Sequence, residues 1–353
     1  MIDHSGIKKI LVIKFGGIGD VLLATPVITN LRAFYPDAEI FFLTLQNARD
    51  VVYNNPDLKK GMTFDPSEDS SVYLIKRIRR QKFDLIIDLY SNPRTALLTF
   101  LSGAKYRAGF NMRGRAYAYN VLIEPRGGEV HNVQFNLDSL RKLEIPVTSN
   151  KPVLFPNLIH FEFVDEFIKD HQLENKKLCA VLLTGGWVSK RYKSDDYVTL
   201  LKMMKEKYSF EFILVYGNEK EKSEAELIKN SVSSLVPTLQ RGNGNRIHIF
   251  PIQPLLYLAA LIKKCDIVLG SDSGPLHVAA AMETPLLGIF GPTDPLLGGP
   301  YGEKVLTIVK EELDCLRCNL RDCPIGNICM TQLSKEKIIA KMDELIKLNN
   351  ILD

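Results

Sequence analysis

The chain has 353 residues, 46% of them hydrophobic and 24% charged, with a formal net charge of +4. That length favours two domains over one, and the apolar fraction suffices for two cores. The small basic excess suits an acidic small ligand or an anionic membrane surface and is too weak to argue for nucleic acid. No run approaches the ~20 apolar residues of a membrane helix.

The N-terminus lacks the charged, apolar and small-residue segments of a secretion signal and passes straight into a strand, so a cytoplasmic location is expected. "KKILVIKF" (8–15) is that strand, and a helical run follows to about Phe34. Between them lies "GGIGD" (16–20). A glycine turn between strand and helix usually cradles a phosphate. Here Leu22 stands where the third glycine of GxGxxG would fall, and no GxxxxGK[ST] is present. Asp20, at the end of the turn, suits two roles equally: a cap for the following helix, or a carboxylate presented where the strand ends.

"EIFFLTL" (39–45), "DLIIDLY" (84–90) and "YRAGF" (106–110) are further strands, with a helix over 71–81 and another around 133–143. These near-continuous apolar runs suit parallel sheets covered on both faces. Residues 144–157 carry three prolines and little periodicity, which marks an interdomain connection. A helical stretch over 160–171 opens the second half. Five strands follow, within 178–186, 210–217, 247–250, 266–274 and 285–291. Helices near 195–207, 219–230, 254–264 and 275–282 separate them. An amphipathic helix closes the chain. The expected organisation is α/β, with domains at 1–157 and 158–333, a closing helix over 334–353, and two doubly wound Rossmann-like sheets facing across a cleft.

The strongest chemical signal is "DIVLGSDSGPLHVAAAMETPLLGIFGPTDP" (266–295). A strand ends at "GSDSG" and a helix starts with Pro275, a favoured first helical residue. Ser271, Ser273 and Gly274 are small enough for an anion to reach the free backbone N–H groups, and the helix dipole adds to the attraction. His277 lies in the first turn, and Thr293 follows the next strand. An acid, hydroxyls, a glycine and a histidine thus gather at the carboxyl end of a strand, where open α/β sheets bind ligands.

Of six cysteines, Cys179 and Cys265 sit in apolar contexts that suit small buried side chains. Cys315, Cys318, Cys323 and Cys329 form C-x2-C-x4-C-x5-C. Disulfides are disfavoured in the cytoplasm, so the two readings are a structural zinc or iron and a compact loop of reduced thiols.

Taken together, "GGIGDVLLATPVITNLRAFYP", "FDLIIDLYSNPRTALLTFLSGAKYRAGF", "VSKRYKSDDYVTLL", "YGNEKEKSEAELI", "SDSGPLHVAAAMETPLLGIFGPTDP" and the late cysteines resemble the heptosyltransferase family, glycosyltransferase family 9, in order and spacing over nearly the whole chain. The resemblance implies a GT-B fold and a metal-independent, inverting transfer of heptose from ADP-heptose, or a similar nucleotide sugar, to an anionic lipopolysaccharide-core acceptor. The first domain would bind the acceptor and the second the donor. It makes Asp20 the general base. It assigns Lys190 to the donor phosphates, with Arg191 able to share the role because Tyr192-Lys193 replaces the usual Trp-Pro. It assigns Glu221 to the ribose, with Glu219 a near alternative. It assigns Asp272, Ser273, Gly274, Pro275, Leu276, His277 and Thr293 to the pyrophosphate site. Arg94 matches a basic position near the acceptor, and Lys105, Arg107, Arg113 and Arg115 form a basic cluster downstream. No Asp-x-Asp is present to hold a divalent ion on the phosphates. The expected location is cytoplasmic, peripheral to the cytoplasmic face of the inner membrane. A nucleotide-sugar epimerase and a non-catalytic nucleotide-sugar-binding paralogue are the alternatives.

Overall fold

The computed structural model describes residues 2–233 and 247–352. The chain divides into two units, the first running to Phe155 and the second starting at Pro156. The first contains strands β1 (Lys9–Ile13), β2 (Glu39–Leu45), β3 (Lys60–Phe64), β4 (Leu85–Asp88), β5 (Tyr106–Phe110) and β6 (Val121–Ile123), and helices α1 (Ile18–Leu22), α2 (Thr25–Phe34), α3 (Arg49–Tyr53), α4 (Ser71–Gln81), α5 (Pro93–Leu101) and α6 (Asn132–Lys142). The sheet order is β3-β2-β1-β4-β5-β6, and every pairing is parallel.

This order reverses at β1 and β4. From β1 the chain steps one way to β2 and β3, then crosses back to β4 and continues to β5 and β6. Right-handed crossovers put the connections of these two directions on opposite faces of the sheet. Accordingly α4 packs on α5, and α5 on the short 3-10 turn Ala116–Ala118, while α2 packs on α6. Leu11, Ile13, Phe41, Leu43, Phe64, Leu74, Ile78 and Ile86 share one buried cluster between sheet and helices. Burying each side chain of that size contributes about 1.5–3 kcal/mol. Helix α5 has a well-made start. Asn92 Oδ1 accepts from Thr95 N at 2.8 Å, Thr95 Oγ1 accepts from Asn92 N at 3.1 Å, and Pro93 takes the first position.

The proline-rich stretch after α6 belongs to the first unit for most of its length. Buried Asn30 on α2 accepts from Thr148 N at 2.6 Å and Ser149 N at 3.0 Å, and Thr25 Oγ1 accepts from Val153 N at 2.9 Å.

The second unit repeats the plan. Its strands are β7 (Leu178–Leu182), β8 (Glu211–Val215), β9 (Ile247–Ile249), β10 (Ile267–Ser271), β11 (Leu286–Ile289) and β12 (Val305–Ile308), in the parallel order β12-β11-β10-β7-β8-β9. Its helices are α7 (Leu158–Asp170), α8 (Ser194–Lys207), α9 (Glu219–Ser233), α10 (Leu255–Lys264), α11 (Gly274–Ala281), α12 (Pro295–Gly298), α13 (Ile328–Thr331) and α14 (Lys335–Leu348). The closing helix α14 buries Ile338, Ile339, Met342 and Leu345 in the same core cluster as Leu200, Met204 and Phe212. Among the described residues no helix is long and apolar enough to cross a membrane.

Candidate functional site

Each unit presents its chemistry at the carboxyl ends of the two strands where the sheet order reverses, which is where such sheets bind ligands. In the first unit these are β1 and β4. Gly16, after β1, has φ +139°, and a Cβ there would lie 2.7 Å from Asp20 Oδ2. Only glycine suits that conformation and that approach. The Asp20 carboxylate folds back over the turn and accepts from Gly17 N at 3.0 Å through Oδ2, while the residue itself stays exposed. The capping role of Asp20 is therefore real. One N–H leaves acceptor capacity on a two-oxygen carboxylate, so the cap does not exclude a second role.

Lys14, the first residue after β1, is given no role by the sequence reading. Its Nζ donates to Leu89 O at 3.3 Å and Asn136 Oδ1 at 3.2 Å. Burial lowers its proton affinity, and the Asp20 and Asp88 carboxylates oppose that. Asp88, at the end of β4, is fully buried and accepts from Ser91 N at 2.9 Å, Tyr90 N at 3.1 Å and the Tyr119 hydroxyl at 2.8 Å. Burial pushes its carboxyl upward against those donors. Tyr119 reaches it because residue 109 is glycine: a Cβ there would sit 2.4 Å from the Tyr119 ring.

Arg94, in the first turn of α5, is exposed and stacks its guanidinium 5.3 Å from the Phe64 ring centroid. Phe64 in turn stacks on Phe15, with centroids 5.8 Å apart and planes 10° from parallel. An aromatic pair thus joins Arg94 to the strand end that leads into the Asp20 turn. Arg113 is exposed in the turn after β5. Arg107 instead spends its guanidinium on the backbone. It donates to Ala104 O at 2.8 Å and Ala118 O at 3.0 Å and so ties two loops together.

In the second unit the reversal lies at β7 and β10. Helix α11 starts immediately after β10, with Ser273 as its cap residue and no side-chain hydrogen bond to its first turn. Thr184 donates to Ser273 Oγ at 3.2 Å. Lys190 Nζ lies 2.6 Å from Asp272 Oδ2, and Thr293 Oγ1 donates to that same oxygen at 2.5 Å. The Lys190 ammonium also lies 4.3 Å from the Trp187 ring centroid. Asp272, Ser273 and His277 are all buried. These contacts bring Lys190, Asp272, Ser273 and Thr293 together around the start of α11. The Leu276 side chain is fully buried, and its N–H donates to Ser273 O at 3.1 Å.

Glu221 and Arg191 form an ion pair in the first turn of α9, and Glu221 Oε2 accepts from Gly217 N at 2.7 Å. Glu221 is buried, whereas the Glu219 side chain is 80% exposed, so Glu221 is the acid held in place. The same pair occupies Arg191 away from Lys190, so the two neighbours do not share a partner.

The late cysteines carry the two readings given above, a structural metal and a compact loop of reduced thiols. Among the described residues no three His, Cys, Asp or Glu side chains are arranged to hold a metal ion. Cys315 and Cys318 are exposed thiols, Cys323 Sγ accepts from Asn327 N at 3.2 Å, and Cys329 is buried. Burial, and then the nearby Cys323, Cys318 and Cys315, push the Cys329 thiol up.

Residues 72–329 match the family model for glycosyltransferase family 9 (heptosyltransferase). The chain is 26% identical over 303 residues to lipopolysaccharide heptosyltransferase 3 of Escherichia coli, covering 82% of this chain and 85% of that protein. It superposes on the glycosyltransferase family 9 protein of Veillonella parvula DSM 2008 with a TM-score of 0.79 at 20% identity, covering 96% and 97% of the two chains. For the ADP-heptose LPS heptosyltransferase II of E. coli the TM-score is 0.73 at 18% identity, covering 97% and 99%. The two doubly wound units are those of a GT-B fold.

Proposed function

The chain belongs to glycosyltransferase family 9, and from that premise we propose that it transfers a heptose from ADP-heptose, or a similar nucleotide sugar, to a lipopolysaccharide core or related glycan acceptor, with inversion at the anomeric carbon. The observation that carries this reading is the start of α11. Its first turn has no side-chain cap, and beside it Lys190 is held on Asp272. A helix N-terminus and an ammonium are what a pyrophosphate needs, and both can take up the charge that develops on departing ADP. Glu221, fixed by Arg191 and Gly217, holds the ribose hydroxyls. Asp20 takes the proton of the acceptor hydroxyl as that oxygen bonds to the anomeric carbon and the bond to the pyrophosphate breaks. Arg94 and Arg113 meet carboxylate or phosphate groups of the acceptor. Protein groups answer the phosphate charge, so transfer needs no divalent metal. A glycolipid acceptor places the enzyme at the cytoplasmic surface of the inner membrane. The names borne by the E. coli relative and by the superposed heptosyltransferase II support the choice of sugar and acceptor.

The test is incubation of the purified chain with ADP-heptose, with and without a truncated core acceptor, in excess EDTA. Release of ADP matched by gain of one heptose on the acceptor is expected. An altered nucleotide sugar formed without acceptor would indicate an epimerase, and donor binding without turnover a non-catalytic paralogue. Activity lost in EDTA and restored by magnesium would overturn the metal-independent mechanism.

A further inference from the structure

We propose that the first unit docks on an anionic lipid bilayer through the face built by α4, α5 and the turn over 111–118. The three connections lie on one face of the sheet, because all belong to the run of crossovers from β3 to β6. They are also joined directly. Arg79 on α4 donates to Leu101 O at the end of α5 at 3.3 Å, and Phe100 packs edge-on against Tyr117 with centroids 5.5 Å apart.

Two properties of this face point to a membrane. The first is charge. Residues 71–81, 93–101 and 111–118 hold seven lysines and arginines and no aspartate or glutamate, against a net charge of +4 for the entire chain. The rest of the chain is therefore net acidic, and the basic excess is concentrated here. The second is exposed apolar surface. Val72, Tyr73, Leu97, Phe100 and Tyr117 are each between 44% and 59% exposed. Helix α4 buries Leu74 and Ile78 and turns Tyr73, Lys76 and Arg80 outward at helical spacing. On α5 the outward stripe is Arg94, Leu97 and Phe100. Water-facing aromatic and aliphatic side chains among cations match a bilayer surface. The rings enter the headgroup region, and the lysines and arginines meet anionic lipid. A nucleic-acid or acidic-protein partner would account for the cations and leave the exposed Val72 and Leu97 without a role. The choice of a bilayer as occupant rests on the glycolipid-acceptor reading; the charge and the exposure do not.

The experiment is co-sedimentation of the purified full-length chain with vesicles of phosphatidylethanolamine and phosphatidylglycerol, and with vesicles of phosphatidylcholine alone, over a range of salt. Binding to the anionic vesicles that falls with salt, and little binding to the neutral ones, is expected. The double variant Lys76→Glu, Arg80→Glu should weaken vesicle binding by about tenfold or more, given the attraction of each cation to an anionic surface. The double variant Tyr73→Ala, Phe100→Ala should weaken it independently, and Lys341→Glu on α14 should not. Thermal unfolding of each variant checks that the fold is intact. No binding by the parent, equal binding to neutral vesicles, or unchanged binding by both double variants would overturn the proposal. So would a parent dimer that both double variants dissociate, since the face would then belong to a second copy. Transfer to a soluble truncated acceptor, measured in parallel, should survive in both double variants. If the parent binds vesicles and yet transfers nothing, the enzymatic reading fails while the surface stands.

Discussion

Lys190 and Asp272 are bound to each other at 2.6 Å at the start of α11, with side chains only 17% and 10% exposed. A pair this sheltered is costly to break one partner at a time, because the other is left buried and unpaired. The electrostatic consequence is specific. Lys190→Ala removes a cation from the phosphate site and also leaves the Asp272 carboxylate there to repel the pyrophosphate. Lys190→Ala should therefore weaken ADP binding by more than tenfold, about 1.4 kcal/mol or more. Lys190→Ala combined with Asp272→Asn should recover part of that loss. Calorimetric titration with ADP gives the cycle, and strictly additive effects would mean that the two residues do not act as a pair.

Asp20 presents a case where cap and base can be separated. Asparagine retains an oxygen that can accept from Gly17 N but cannot take a proton from a hydroxyl. Asp20→Asn should leave the thermal midpoint and ADP affinity close to the parent values and lower turnover by about 10²–10⁴-fold, the usual worth of a general base. A variant that turns over normally would reduce Asp20 to a helix cap.

The sequence made the strands that end at the site easy to read, because β1, β4, β7 and β10 are nearly uniform apolar runs buried on both faces. It concealed the edges. β3 alternates, with Lys60 exposed, β6 has three residues, and no residue of β12 is fully buried, so none of them carries a core-strand pattern. Helix α5 escaped because "PRTALLTFL" is apolar on most sides and has little helical periodicity. The glycine, serine and aspartate motifs pointed to the strand ends around which the candidate residues gather. Their partners were less visible, because the bonds from Tyr119 to Asp88 and from Lys190 to Asp272 span 31 and 82 positions. The one local clue to Lys14 is a lysine interrupting the apolar run "ILVIKF".

Arg94 stacks on Phe64 and is otherwise exposed, which separates its stability role from any role in binding. The stacking is worth about 0.5–1 kcal/mol, so Arg94→Ala should unfold only slightly earlier than the parent. If Arg94 meets an anionic acceptor, the same variant should raise the acceptor KM and blunt its rise with salt, leaving the donor KM unchanged. Arg94→Lys should recover part of the effect, since charge is kept and the planar fork is lost. Steady-state kinetics in both substrates decides this, and a change confined to the donor KM would move Arg94 to the other ligand.

Lys14 should make stability depend on pH in the alkaline range. Burial lowers its folded-state pKa below the ordinary 10.5, despite the opposing pull of Asp20 and Asp88. The unfolded chain, where the lysine is solvated, thus binds the proton more tightly than the folded one. Between the depressed folded pKa and 10.5 the unfolded state carries more protons, so stability from this group rises with pH across that window. Below the window the full charging penalty is present, and above 10.5 it is gone. Other groups also titrate in alkali, among them Tyr35, pushed up to about 12 by burial. The quantity to measure is therefore the difference between parent and Lys14→Met. Methionine keeps the unbranched stem without the charge, and the hydrogen bonds from Nζ to Leu89 and Asn136 are lost at every pH. Unfolding free energies from urea titrations should show the parent gaining on the variant as pH rises from neutrality towards 10.5. A difference that stays flat would mean Lys14 carries its proton as easily in the folded chain as in water. A difference that falls would mean the attraction of Asp20 and Asp88 outweighs the burial of the ammonium.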